Sequence, residues 1–289
     1  MQKGQPKRKI HADRLQRRPG LEERMEERPL FEPHGIGPGR KLEGKVALIT
    51  GGDSGIGRAV AIAFAIHGAD VAICHLKEET KDAKVTRDYI QAYGHRCLLI
   101  PGDISNEKQC LHAVEKAGKT FHQIDILVNN AGMHIPKDSI TEISREQLEK
   151  TFAVNVFAMF HFVQAVLPYM PEGGSIINTA SVTAYRGSAH LLDYSATKGA
   201  IVSFTRALSA SLIKKNIRVN AVAPGPVWTP LIVSSMDKKQ VKTFGSDSPM
   251  GRAAQPSEIA PCYLFLAGEE SSFMTGQVLH PNGGEVVNG

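Results

Sequence analysis

The sequence predicts an α/β fold: a single doubly wound domain on a seven-stranded parallel sheet, preceded by an extended N-terminal arm. Three observations predict it. Short apolar runs alternate with helix-period stretches from about residue 45 to the end of the chain, the pattern of strands joined by helical crossovers, which makes the sheet parallel and covers both its faces. A glycine cluster, Gly51-Gly52-Asp53-Ser54-Gly55-Ile56-Gly57, stands between the first run and the first helix. Nearly every unusual residue falls just after an apolar run, at the C-terminal strand ends where a doubly wound sheet holds its ligand.

Taken in order, the body begins near Lys41. The first strand is Lys45 to Thr50, and an apolar-periodic helix follows from Arg58 to about His67. A second strand, Asp70 to Cys74, completes a βαβ unit. The pattern then recurs: helix Glu78 to Tyr93 and strand Arg96 to Pro101; helix Asn106 to Phe121 and strand Ile124 to Asn129; helix Ser144 to Leu167 and strand Ser175 to Ala180. Helix Asp193 to Lys214 leads to strand Arg218 to Ala223, and helix Ser257 to Ala267 to a last strand around Val278. No second core is visible, so residues 41–289 read as one domain and 1–40, polar and rich in Pro and Gly after Arg28, as an arm.

With 289 residues, 42% of them hydrophobic and 22% charged, the chain has the material for a soluble enzyme with a sizeable core. No apolar run approaches the roughly 18 residues of a membrane span, and no apolar stretch follows the basic Met1 to Lys9 segment as a secretory signal requires. A cytoplasmic protein without a membrane partner is expected. Cys74, Cys97, Cys110 and Cys262 lack metal-ligand spacing, so they read as free thiols in a reducing compartment, with no metal. Of the net charge of +5, residues 1–40 hold +4, ten basic side chains against six acidic ones. The arm's cluster Glu22-Glu23-Glu26-Glu27 and its lack of interleaved aromatics argue against a nucleic-acid track, leaving an arm that lies on its own or a neighbouring subunit.

The chemistry centres on Tyr194-Ser195-Ala196-Thr197-Lys198. On a helix, positions i and i+4 share a face, so the phenol and the ammonium can point into one site. An ammonium beside a phenol favours phenolate and brings acid/base chemistry towards neutral pH. Ser181, at the tip of the strand ending in Ala180, can meet that phenol over a substrate carbonyl. In the turn after the first strand, Gly51, Gly55 and Gly57 leave room for backbone amides to approach a pyrophosphate at a helix N-terminus. Each feature has a plainer competitor: a solvated helix charge at Lys198, a helix cap at Ser181, a tight turn that needs glycine anyway.

Together, Thr50-Gly51-x-x-x-Gly55-Ile56-Gly57, Asn129-Asn130-Ala131-Gly132, Asn155, Ser181, Tyr194-x-x-x-Lys198 and Pro224-Gly225 resemble the short-chain dehydrogenase/reductase family, from about Leu42 to the end. The arm and Gly52-Asp53-Ser54 resemble its bacterial general-stress, or glucose/ribitol-dehydrogenase-like, branch. The resemblance implies a Rossmann-like domain that moves a hydride between a nicotinamide cofactor and a carbonyl or alcohol. It makes Tyr194 the acid or base, with Lys198 tuning it and binding the nicotinamide ribose, Ser181 holding the substrate oxygen and Asn155 holding a water of the proton relay. It places Gly51, Asp53, Ser54, Gly55, Ile56, Gly57 and His75 around the cofactor, Asp103 and Ile104 against the adenine, Asn129, Ala131 and Gly132 along the adenosine ribose and bridge, and Pro224, Gly225, Val227 and Thr229 near the nicotinamide or pyrophosphate. Asn130 takes a structural role.

At the end of strand two an acidic residue suits NAD and an arginine suits NADP; here stands His75, with Leu76 and Lys77 next. The missing carboxylate permits NADP and the missing arginine does not require it, so the cofactor is NADP or NAD with a lean to NADP. Met133, His134 and Ile135, Thr183 to Ser188 (with Tyr185 and Arg186), and Pro226 to Met250 (with Trp228) are expected to wall the substrate pocket. The resemblance further implies a homo-oligomer, a tetramer paired through long helices and the final strand. A 3-oxoacyl-thioester reductase and a low-turnover NAD(P)-binding sensor are the competing functions.

Overall fold

The computed structural model describes residues 15–32, 37 and 39–287. Its sheet has seven parallel strands in the order β3-β2-β1-β4-β5-β6-β7. In chain order these are β1 (Val46–Thr50), β2 (Asp70–His75), β3 (Cys97–Pro101), β4 (Ile126–Asn129), β5 (Ser175–Thr179), β6 (Arg218–Val222) and β7 (Val278–Leu279). β1 runs beside both β2 and β4, so the strand order reverses there and a crevice opens at the strands' C-terminal ends.

Strand alternation builds the two halves of the core. From β1, Ala47 and Ile49 enter one apolar cluster, and Val46 and Leu48 enter the other. The first cluster takes in α1 (Gly55–Ile66) and α2 (Thr80–Ala92). The second takes in α3 (Glu107–Phe121) and, beyond α4 (Arg145–Phe152), α5 (Ala158–Val166). Small residues let α1 lie close to the sheet: Ala59, Ala61, Ala63 and Ala65 are all fully buried. The remaining helices are α6 (Thr183–Arg186), α7 (Leu192–Leu212), α8 (Pro230–Ser235), α9 (Lys238–Lys242) and α10 (Pro256–Ala267).

Two features differ from the sequence reading. First, α1 begins at Gly55 inside the glycine turn, because a positive φ at Gly51 has already redirected the chain. Second, the helix expected from Ser144 to Leu167 contains a π turn over Ala153–Phe157. The run Arg145–Tyr169 has the length and hydropathy of a membrane span, contrary to the sequence-based expectation. Here it packs as a core helix, burying Ala158, Phe162, Val163 and Val166 beside Ala113 and Val114 of α3. The described part of the arm lies on its own subunit, one of the two places expected of it. Met25 is 4% exposed and joins Trp228, Ile232 and Val233 in an apolar cluster of its own. Residues 1–14, with five of the arm's ten basic side chains, lie outside the described residues.

Candidate functional site

The glycine turn forms the first wall of the crevice. Gly51 and Gly55 have φ of 64° and 51°, the left-handed region that penalises any side chain. A Cβ at Gly57 would sit 1.9 Å from the Gly51 carbonyl oxygen, so neither strand nor helix can be moved apart without opening the turn. Thr50 Oγ1 accepts the amides of Asn130 and Ala131, at 3.0 Å each. Asn130 Nδ2 donates to the Thr50 and Gly51 carbonyls, the structural role expected of it. Ile56, half-buried, stands in the first turn of α1, where backbone amides lack partners within the helix.

One of those amides is taken. Gly55 N–H donates to Glu22 Oε2 at 3.0 Å, and the other oxygen of Glu22 is ion-paired to Arg58. Arg58 also reaches Asp82, whose two oxygens accept the amides of Glu22 and Glu23. Burial pushes Glu22 up to about 7, against the pull of Arg58 and the Gly55 amide. Asp53 is buried beneath the turn and its carboxyl is raised by that burial, with Ser54, Arg58 and His75 pulling it down. Glu79 is pushed up to about 8, first by burial and then by Asp53. His75 is 3% exposed at the end of β2; its Nδ1 lies 2.7 Å from the Leu76 carbonyl, and Nε2 is buried without a partner.

The second wall carries the acid/base residues. Lys198 on α7 is 2% exposed, and its Nζ donates to the Thr179 carbonyl at 2.7 Å. The ammonium stands 5.3 Å from the centre of the Tyr194 ring. Ser181 stands beside the Tyr194 phenol and pulls its pKa down, and Ser181 Oγ accepts from the Thr183 amide and hydroxyl, so the capping role and the site role coexist. A Cβ on Gly132 would lie 3.5 Å from Asn155 Oδ1 and 3.7 Å from Lys198 Nζ, which brings the segment after β4 into the same site.

The expectation that Lys198 lowers the phenol is not met. Burial pushes Tyr194 up to about 12, with Ser181 acting in the opposite sense, and burial pulls Lys198 down to about 7. Both charged forms lose water, and the ammonium spends its bond on a backbone carbonyl instead of the phenol oxygen.

Other residues are placed as follows. Asn155 sits in the π turn, where its amide brackets the Met133 backbone, accepting from N–H at 2.9 Å and donating to the carbonyl at 3.0 Å. π turns of this kind recur at functional sites. Asn129 is buried and donates along the sheet to Asn178 Oδ1, so its side chain is used inside the protein. Asp103 accepts Lys150 Nζ at 2.7 Å and the Ser105 amide, and the Ile104 carbonyl accepts Cys110 Sγ. Pro224 and Gly225 bond to Val182 and Pro281 backbone, Val227 is bridged to Ala254, and a Cβ on Gly55 would meet Thr229 Cγ2 at 3.0 Å.

Two expected pocket residues lie elsewhere. Trp228 is 1% exposed and donates Nε1 to the Glu27 carbonyl, because its bulk fills the seam between arm and body. Tyr185 packs edge-on against His280 at 4.7 Å, in a groove with Arg206 and β7. Conversely, Glu22, Arg58, Glu79, Asp82 and Asp193 were not legible as site residues. Asp193 accepts from Gln147, Thr151 and the Tyr194 amide, fixing the start of α7. Charged side chains inside apolar surroundings leave no local pattern, although Arg58 directly after the glycine turn was a usable signal.

The residues fit a dinucleotide. The cradle of Gly51 and Gly57 excludes side chains, and an unpartnered imidazole nitrogen stands at the β2 end where an adenosine ribose is read. The family model described as enoyl-(acyl carrier protein) reductase matches residues 51–285. NADPH-dependent aldehyde reductase 1, chloroplastic, of Arabidopsis thaliana is 50% identical, over 98% of this chain and 98% of that protein. Glucose and ribitol dehydrogenase of Daucus carota is 50% identical, over 94% of this chain and 95% of that protein. A short-chain dehydrogenase from Burkholderia cenocepacia, solved in complex with NADP, is 32% identical with a TM-score of 0.79, covering 84% of this chain and 98% of that one. Cradle, Tyr-Lys pair and these likenesses make this chain a member of the short-chain dehydrogenase/reductase family, and so an oxidoreductase.

Proposed function

We propose that the protein is an NADP-preferring carbonyl reductase, acting reversibly on aldehydes, ketones or sugars, with Tyr194 as its acid. The observation that carries this is the convergence of Tyr194, Ser181 and Lys198 beside Gly132 at one crevice. A bound nicotinamide dinucleotide supplies the hydride. Gly51, Gly57 and the first turn of α1 bind its pyrophosphate, with His75 beside the adenosine ribose; the Glu79 carboxylate, which accepts the Leu76 amide at 2.9 Å, and Asp53 stand near that strand end, and burial raises both towards the neutral form that tolerates a 2′-phosphate. Ser181 and the Tyr194 hydroxyl hold the carbonyl oxygen, and the phenol gives it a proton as it becomes an alkoxide. The buried phenol is protonated at neutral pH, the form that can act as the acid in reduction. Lys198 orients the nicotinamide ribose from its fixed place under Thr179, and Asn155 holds the Met133 segment that borders the substrate.

NADPH named for the aldehyde reductase and NADP for the solved structure support the cofactor preference. The thiols of Cys74, Cys97, Cys110 and Cys262 support a reducing, cytoplasmic setting. Phe160 and Phe204, stacked at 4.2 Å on an open apolar face of α5 and α7, support assembly through those helices towards a tetramer. A 3-ketoacyl-(acyl-carrier-protein) reductase from Brucella melitensis, 36% identical with a TM-score of 0.76 and covering 84% of this chain and 98% of that one, supports a second reading, a 3-oxoacyl-thioester reductase.

The test is nicotinamide absorbance with aldehydes, ketones, acyl thioesters and sugars, each with NADPH and NADH, beside Tyr194→Phe. Expected is NADPH-linked reduction that falls about 10²- to 10⁴-fold in the variant while cofactor binding persists. Fast turnover of thioesters alone selects the second reading. Tight cofactor binding with no turnover of any carbonyl rejects both in favour of a sensor.

A further inference from the structure

The arm brings polar groups against α8, beside the residues that flank Tyr194, and the mechanism above does not use them. Gln16 N–H donates to the Val233 carbonyl at 2.9 Å, on α8. At Gly20 a Cβ would lie 2.3 Å from the Pro230 carbonyl and 2.8 Å from Ser234 Cβ, so the chain is pressed onto the same helix. Leu21 and Glu22 are buried immediately after. Arg18 is therefore held between two anchors. Its guanidinium acts electrostatically on both His134 and Asp193, the residues that flank Tyr194: the His134 ring packs edge-on to the Tyr194 ring at 5.2 Å, and Asp193 caps the Tyr194 amide.

Arg18 has no hydrogen bond or ion pair among the described residues. Asp193 does not neutralise it by contact, because that carboxylate already accepts from Gln147 Nε2, Thr151 Oγ1 and the Tyr194 amide. Lys198, the other cation of the site, is committed to Thr179. Two more polar groups along this seam have no partner among the described residues. Gln16 gives Oε1 to the Leu21 amide and keeps Nε2 buried and free. His134 contacts Ser235 Oγ through Nε2 at 2.5 Å, while Ser235 Oγ donates its own proton to the Leu231 carbonyl. Nε2 must then carry the hydrogen, and Nδ1 is left as a buried acceptor without a partner. Burial, with the charges of Arg18 and Lys198, keeps the ring neutral.

We propose that Arg18, carried by the arm, is a specificity-determining residue that binds an anionic group on the carbonyl substrate, with Gln16 Nε2 donating beside it and His134 Nδ1 accepting from a substrate hydroxyl. The substrate class is then a small carbonyl compound whose far end carries a carboxylate or phosphate. The inference rests on the reductase reading and deepens it.

The experiment measures kcat/KM with NADPH for two matched pairs: glyceraldehyde 3-phosphate against glyceraldehyde, and succinic semialdehyde against butanal. Expected is a preference of roughly tenfold or more for the anionic member, the scale of a charge-assisted bond. The pair with the larger ratio distinguishes phosphate from carboxylate. Arg18→Gln brings the ratio close to one, and Arg18→Lys recovers part of it, which loss of structure alone would not do. Equal ratios in wild type and Arg18→Gln, or a preference for the neutral members, overturn the proposal. Calorimetric titration with glycerol 3-phosphate, succinate and glycerol separates the two layers. Anion binding that Arg18→Gln abolishes, without turnover of any carbonyl, keeps the anion site and sinks the reductase. Turnover without charge preference keeps the reductase and sinks the anion site.

Discussion

The floor of the crevice and its rim are built on opposite principles. The floor consists of short motifs at strand ends: the glycine turn, Asn130 on Thr50, and Tyr194 one helical turn from Lys198. Each partner lies on a neighbouring strand or within one turn of helix, and the sheet register sets their relative positions. The rim consists of the arm and α8, held by contacts between residues far apart in sequence. Glu22 meets Arg58 and Trp228 meets Glu27 across 36 and 201 positions. Chemistry common to a family can reside in the first kind of structure, because backbone geometry reproduces it wherever the fold forms. Selectivity belongs to the second, which can change without disturbing the sheet.

The contrast is broken most severely at Glu22, where rim and floor join. Glu22→Ala leaves Arg58 buried with half its charge partners and frees the Gly55 amide. We expect a loss of about 3–5 kcal/mol in unfolding free energy, read from denaturant midpoints, with cofactor affinity falling as well. Glu22→Gln keeps an acceptor for the Gly55 amide and removes only the ion pair, so it should lose less. Equal stability of wild type and Glu22→Ala would show that the arm merely rests on the turn.

On the floor, Lys198 provides a pH signature. Its folded pKa of about 7 lies below the unfolded value near 10.4. Folding therefore expels a proton between those values, and the stability tied to this residue rises with pH across that window. Urea unfolding of wild type and Lys198→Met from pH 7 to 9 should show the wild type gaining on the variant as pH increases. A constant difference would mean that Lys198 keeps its ordinary pKa in the fold.

The smallest expected effect is at Trp228. Trp228→Phe retains most of the packing against Met25 and Ile232 but drops the bond to the Glu27 carbonyl, at about 0.5–1.5 kcal/mol. Thermal unfolding measures it. If that loss also changes the charge preference assigned to Arg18, the arm moves as one unit; if it does not, Gln16 and Glu22 hold the arm independently of the tryptophan.

The sequence by itself determined the parallel sheet, the order of its elements, the cofactor turn and the Tyr194, Lys198 and Ser181 set. Period, turn residues and i,i+4 spacing are properties of neighbours, and a short window contains them. It also pointed to Asn155, but not to the π turn that aims its amide at Met133. Only the tertiary structure decided that Trp228 leaves the pocket for the arm, and that burial, not the neighbouring ammonium, governs the Tyr194 phenol. It likewise decided that Glu22, in a cluster legible only as surface charge, enters the core to meet Arg58. Those outcomes depend on which groups lose water together, and desolvation is a property of the packed interior that no stretch of chain carries alone.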